Sequence, residues 1–412
     1  MLSQAGRLAV AAILVAALAA APGAEAAEVI VVDGHSAVRR DDPLVPSRAE
    51  VSLGRPPGRG AKARAASISA RASSAAGRRA VSAALRRAVR AGKISRARYH
   101  RWRRAYARSR STLRRLRGAR RIQLAYLVAS VERLALRRRL VSSRLPAVFL
   151  QLARNTQYWP RFRYPRSGDQ LTFRGSEILF QYYPGRGLQI QPLSTFKKAN
   201  NMHGACVKDT GAPCRRDGLA RLLDEMRRLA AGRSRGFIAW EYLFDFGGGA
   251  PPWISGMAEA TAIQALARAA DLLGRPDYVT LARRALGAFD AGPPVGVRTA
   301  GFRGGPHYLQ YSFAPRLYIF NAFVQAVIGL YDFAELTGDA HARRLFDQAE
   351  PELRREIPFS DTGSWSLYSY RGARSTAEYH ELLRELLQSA CSRRLGQVYC
   401  TLAARYRRYQ GG

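Results

Sequence analysis

Residues 360–380, "SDTGSWSLYSYRGARSTAEYH", gather three tyrosines (Tyr368, Tyr370, Tyr379), two arginines (Arg371, Arg374) and His380 behind an Asp-Thr-Gly turn. Phenols and an imidazole can move protons, and a guanidinium beside them can hold a carboxylate. A tyrosine, with a pKa of about 10 in water, serves at neutral pH only if nearby positive charge brings that value down. Two further stretches supply companions. "WEYLFDFGGGAPPW" and the helix after it carry Trp240, Glu241, Tyr242, Asp245, Trp253, Ser255 and Glu259. "RGGPHYLQYSFAPRLY" carries His307, Tyr308, Gln310, Tyr311 and Arg316, with Asn321 just beyond. Aromatic loops of this kind also build sugar-stacking grooves and packed lids, so residue types alone do not define a site.

Several simpler readings apply. Asp361 in Asp-Thr-Gly suits a turn former, and with no second copy in a helical setting an aspartic protease is excluded. Glycines 247–249 lack the following Lys-Ser/Thr and the preceding strand of a phosphate loop. Asn321 can satisfy backbone groups as readily as a substrate, and His380 can orient a neighbour as readily as carry a proton. No spacing of ligands suggests a metal site, and no cofactor motif is present. Paired carboxylates for glycoside hydrolysis would have to come from Glu241, Asp245 and Glu259.

The elements that must position these loops read as mainly helical. Leu219, Leu222, Leu223, Met226 and Leu229 recur at helical spacing behind Asp217. "ARAADLLGRPDY" around Gly274 and "YDFAELTGDAHA" around Gly338 repeat one unit: helix, glycine stop, new helix. Stacked helical hairpins of this kind predict a complete or incomplete α/α toroid over 216–412, with the loops at one end. Before it, β-favouring residues on both sides of Tyr183-Pro184-Gly185-Arg186-Gly187 predict a β-hairpin in a small module over 151–215. Residues 61–150 read as a basic helical region. Residues 27–60, rich in Gly, Pro, Ser and charge, read as a disordered linker.

Residues 1–26 combine an early Arg7, an apolar run from Leu8 to Ala21 and a small-x-small site ending at Ala26, the pattern of a secretory signal peptide. The run is shorter than the roughly 20 residues a membrane span needs. An exported chain favours disulfides, and Cys206 with Cys214 and Cys391 with Cys400 bracket two tight loops; local bridges are the simplest pairing, with cross-pairing left open. The formal charge is +37, and residues 61–140 hold 25 Lys/Arg against Glu132 alone. Such a block attracts polyanions. Export disfavours nucleic acid and points instead to acidic polysaccharide or an anionic envelope polymer, although arginine-rich composition by itself would give the same count. A homodimer stays open.

"PPWISGMAEATAIQAL", "YLQYSFAPRLYIFNAFVQAVIGLYD" and "SDTGSWSLYSYR…AEYH" together resemble the C-terminal domain of the D-glucuronyl C5-epimerases, over roughly residues 236–385, with a weaker extension through "LQIQPLSTFKKANN". The resemblance implies an enzyme that removes and returns the C5 proton of uronic acid residues in a heparosan-type polysaccharide, and the signal-peptide pattern makes it an exported one. It implies catalytic roles for Tyr311, Tyr368 and Tyr379, a uronate carboxylate held by Arg371, and substrate contacts from His380, Asn321, Trp253, Gln310 and Glu259. In the family a glutamate precedes the second-loop tyrosine; Gln310 stands here, and Glu259 is the acid that could compensate. Two alternatives follow: a polysaccharide lyase using the same proton abstraction, and an inactive envelope protein that binds acidic glycans.

Overall fold

The computed structural model describes residues 27–51, 53 and 74–411, so the expected signal peptide lies outside the described residues. The chain is mainly helical with small sheets. A five-stranded sheet has the order β2-β1-β3-β4-β5, built from β1 (Ala27–Val32), β2 (Ala37–Asp42), β3 (Gln170–Phe173), β4 (Phe180–Tyr183) and β5 (Gly187–Ile190). The hairpin expected around Pro184 is β4–β5, closed by the pair Tyr183 and Gly187.

The linker expected over 27–60 is corrected for the residues described. Its first stretch, "AEVIVV", forms β1, pairs antiparallel with β2 and runs parallel to β3. Arg39 and Arg48 both bind the buried Asp169 at the start of β3, and Leu44, Val45 and Val51 are buried. A window of local composition misses this because the β-branched run is diluted by polar neighbours. Of its two partner strands, β3 also lies more than a hundred residues away in sequence.

The basic region forms helices α1 (Ala75–Arg90), α2 (Arg96–Arg115), α3 (Gly118–Leu136) and α4 (Leu145–Tyr158). Ser74 and Ser95 cap the first two by accepting from Gly77 N and Arg98 N. Their apolar faces (Val81, Leu85, Trp102, Tyr106, Leu113) turn inward, and α3 is buried along most of its length. One apolar cluster runs from these helices through the sheet to the C-terminal helices, so the basic region is not a detached arm.

Beyond the sheet lie α5 (Pro192–Val207), α6 (Arg216–Leu229), the two-residue strands β6 (Ala231–Gly232) and β7 (Ile238–Ala239), and α7 (Gly256–Leu273). There follow α8 (Pro276–Ala285), β8 (Arg298–Ala300), β9 (Pro306–Tyr308), α9 (Phe320–Thr337), α10 (Ala340–Glu356), α11 (Ala377–Ser392) and α12 (Gln397–Tyr409). The repeated unit is seen directly. Helices α7 and α9 end at Gly274 and Gly338, both left-handed (φ 63° and 64°), and α8 and α10 fold back onto them. Cys206 is bonded to Cys214 and Cys391 to Cys400, the local pairing. Among the described residues no helix is long and apolar enough to cross a membrane.

The two apolar helices α7 and α9 meet at Gly329, where an added Cβ would lie 2.6 Å from the Ala260 carbonyl oxygen. Gly329→Val should therefore force the helices apart and destabilise the protein by about 1–3 kcal/mol. A denaturant midpoint equal to that of the unchanged protein would show that the contact relaxes freely.

Candidate active site

Three loops meet where the sequence places its phenols, and each is fixed by identifiable contacts. In the first, Tyr242 and Trp253 pair through their backbones, with Tyr242 N donating to Trp253 O (2.8 Å) and Trp253 N to Tyr242 O (3.2 Å). Their rings stack at 4.1 Å with 3° between planes. The indole nitrogens of Trp240 and Trp253 donate to Met226 O and Phe244 O, so both rings are orienting groups buried in the core.

The "WISGMA" stretch has a physical explanation. Ser255 caps α7 by accepting from Ala258 N, and its hydroxyl donates to Gln310 Oε1 at 3.3 Å. Gly256 N donates to Leu309 O, and a Cβ at Gly256 would sit 2.7 Å from that oxygen. Ile254 and Ser312 exchange two further bonds, Ser312 N to Ile254 O (3.0 Å) and Ile254 N to Ser312 Oγ (3.1 Å). The second loop is thus stitched to the start of α7, which seats Gln310 and Tyr311 beside it.

In the third loop Asp361 does form a turn. Its carboxylate accepts from Gly363 N and the Tyr409 hydroxyl and pairs with Arg405 (2.7 Å). His380 is fully buried, stacked 3.8 Å from Trp365. Its Nε2 faces the Tyr406 carbonyl oxygen (3.1 Å) and must donate, so Nδ1 accepts from the Ser366 hydroxyl (2.8 Å). Burial lowers the pKa of this imidazole. Both nitrogens are engaged in holding the loop.

The phenols converge. Tyr368 and Tyr379 meet edge to face at 4.9 Å, and Tyr311 lies against Trp253, Phe246 and Phe313. Tyr311 and Tyr368 are close enough to alter each other's ionisation, although no hydrogen bond of normal geometry reaches the buried Tyr311 hydroxyl. Asn321, on the first turn of α9, donates to Tyr379 O at 3.4 Å. Tyr183, from the β4–β5 corner, joins the group: its charge state is coupled to Tyr242 and Tyr379, and its hydroxyl donates to Gln181 Oε1 (2.8 Å) and accepts from Gln191 Nε2 (3.1 Å). The sequence displayed Tyr183 only as a hairpin residue. The pairing of β4 with β5 carries it here.

Electrostatics correct the expectation of lowered phenol pKa values. Burial pushes Tyr183, Tyr242, Tyr311 and Tyr368 all upward, and the phenols reinforce one another. The cation that opposes this at Tyr183 is Arg186 in the hairpin turn. Arg371 stands elsewhere. It is exposed, in a left-handed conformation (φ 55°), with its guanidinium 5.2 Å over the Tyr370 ring, which itself stacks on Phe302 at 3.8 Å. Glu259 is fully buried on the first turn of α7, and its Oε1 accepts from Trp240 N (2.9 Å). Desolvation raises its pKa well above the carboxylate range, which favours the neutral acid.

A second buried cluster supports the loops from below. Glu352 and Glu356 of α10 are fully buried and accept from the backbone N–H groups of Phe302, Arg303 and Gly305 in the β8–β9 turn. His307 Nδ1 lies 2.8 Å from Glu356 Oε2. Phe302 then stacks on Tyr370, whose N–H donates to Tyr318 O (2.9 Å), linking the second and third loops. Among the described residues no group of His, Cys, Asp and Glu is arranged to hold a metal ion.

Residues 234–408 match the family model described as "D-glucuronyl C5-epimerase C-terminus". The chain is similar to an uncharacterised protein of Methanocaldococcus jannaschii, 27% identical over 154 residues, covering 36% of this chain and 50% of that one. It is also similar to D-glucuronyl C5-epimerase of Caenorhabditis elegans, 29% identical over 133 residues, covering 29% of this chain and 22% of that protein. The matched regions thus span half the length of the first relative or less.

Proposed function

From the premise that residues 234–408 form a D-glucuronyl C5-epimerase family domain, we propose that this protein is an exported uronate C5-epimerase acting on an acidic polysaccharide. One observation carries the reading: phenols from three separate loops and a β-hairpin converge in one cluster, with Tyr242 and Tyr311 buried and Tyr183, Tyr368 and Tyr379 half-buried at its open side. The helical pairs from residue 216 onward act as an α/α toroid that presents these loops.

In the proposed step the C5–H bond breaks, its proton passes to a phenolate oxygen, and the electron pair delocalises into the uronate carboxylate. A phenol on the opposite ring face then returns a proton to C5, so one proton leaves, one arrives, and phenol and phenolate exchange places. Tyr368 and Tyr311 take the two faces, and Tyr379 supports Tyr368. Tyr368 is half-buried where Tyr311 is fully buried, so its phenolate, more open to the polymer, is taken as the base. Because burial opposes that phenolate, a cation must act with it. Arg371 fills that role by turning inward over the Tyr370 ring onto the bound carboxylate. Gln310 replaces the expected glutamate, so the nearby neutral Glu259 is the acid available on that side. His380, Asn321 and Trp253 hold the frame within which substrate binds.

Incubation of the protein with glucuronate-containing polymers in deuterated water tests the reading. Deuterium at C5 without a new ultraviolet chromophore is the expected result. An unsaturated product would assign a lyase, and no exchange on any uronan would reject proton abstraction.

A further inference from the structure

The arginines of the basic layer are unevenly used. Its single acid, Glu132, is buried and accepts from Ser74 N and the Tyr106 hydroxyl, so it neutralises no surface cation. On α3 the arginines are tied down: Arg120 donates to Phe162 O, Arg121 to Leu113 O, and Arg133 pairs with Asp245 (3.3 Å). Helix α2 differs. Arg101, Arg104, Arg108 and Arg115 are all exposed, and among the described residues no carboxylate lies within ion-pairing distance of any of them.

At 3.6 residues per turn these four fall within about 60° of arc on the helix, roughly 150° around it from the buried Trp102–Tyr106–Leu113 face. Arg101, Arg108 and Arg115 follow one another at a rise of about 10 Å each. The stripe is fixed relative to the phenol site. Helix α3 lies beneath α2, its Gln123 accepts from Gly187 N in the hairpin turn (3.0 Å), and its Tyr126 both donates to Asp245 Oδ2 (2.8 Å) and accepts from Asp245 N (2.7 Å) in the first loop.

We propose that the Arg101–Arg104–Arg108–Arg115 stripe is a second binding site, a track for the carboxylates of an acidic polysaccharide. The proposal rests on the substrate class proposed above. Its spacing suits a polymer whose charges are spread along sugar rings. Duplex DNA carries a charge about every 1.7 Å, and single strands are held by stacking aromatics that this stripe lacks.

The test is binding of fluorescein-labelled heparosan to the full chain across about 50–200 mM salt. Replacing all four arginines by glutamine, a good helix former on a solvent face, should weaken binding about tenfold at the low-salt end and flatten the salt dependence. Replacing them by lysine should keep affinity within a few-fold. Unchanged affinity in the glutamine variant, or stronger competition from duplex DNA than from unlabelled heparosan, would overturn the proposal. Binding is read without turnover, so failure of the exchange chemistry leaves this result intact, and failure here leaves the exchange experiment standing.

Discussion

Tyr368→Phe should lower C5 deuterium exchange by about 10²–10⁴-fold while leaving polymer affinity within a few-fold. The substitution removes one oxygen and keeps the ring that meets Tyr379 at 4.9 Å, so the fold has no reason to change. The loss comes from the base that takes the C5 proton. A second signature accompanies it. Because burial pushes this phenol up, only a small fraction is phenolate at neutral pH, and that fraction grows tenfold per pH unit below the pKa. Exchange by the unchanged protein should therefore climb steadily from neutral toward alkaline pH. A Tyr368→Phe protein that exchanges at nearly full rate, or a flat pH profile, would assign the abstraction to another group.

The buried carboxyl pair under the second loop should make the protein less stable as pH rises above neutral. Glu356 is pushed up to about 9 by desolvation and by Glu352 beside it, while Glu352 is held low by Arg355 and by the backbone N–H groups it accepts from. A carboxyl whose folded pKa lies above its unfolded value stabilises fully below about 4.5, and that contribution is lost as pH climbs toward 9. His307, lowered to about 3 by burial, acts in the opposite sense, costing stability only below its unfolded value near 6.5. The two slopes oppose each other between about 4.5 and 6.5. From there to pH 9 no histidine opposes the Glu356 slope, and the buried Glu259, also pushed up by desolvation, adds one of the same sign. Tyr318, which also faces the pair, is pushed upward by burial and so adds no opposing slope over that range.

Across that upper window the loss should be on the order of a few kcal/mol, titrating as a property of the pair. Glu356→Gln keeps a neutral side chain and should make this slope distinctly shallower, leaving the share that comes from Glu259. Denaturant melts at pH 7 and pH 9 on both proteins measure it. Equal slopes would mean that Glu356 is ionised throughout. The functional consequence follows from position: the pair grips the β8–β9 turn whose Phe302 supports Tyr370 in the third loop.

Some of this organisation was legible because it depends on neighbours in sequence. The helix, glycine, helix units at Gly274 and Gly338, the β4–β5 corner, the local disulfides and the Asp361 turn each rest on contacts within a few residues. The strand of Ala27–Val32 was not, since its parallel partner β3 is remote. Nor were Glu352 and Glu356, which look in sequence like two more charges on an amphipathic helix. What sets them apart is the loop that buries them.

The sequence by itself determined which residues could take part: tyrosines grouped behind turns, the motif that carries the family resemblance, and a stretch of arginine with one acid. Tertiary structure decided what each was free to do. It brought Tyr183 to the phenols, committed both nitrogens of His380, set Arg371 outside over Tyr370, and fastened the basic helices beneath the hairpin and first loop. It also reversed the expected direction of the phenol pKa values. The physical reason is common to all of these. Residue identity and spacing fix local geometry, but solvation and partner distance are set by segments far apart in the chain, and those two quantities govern ionisation, hydrogen bonding and reach.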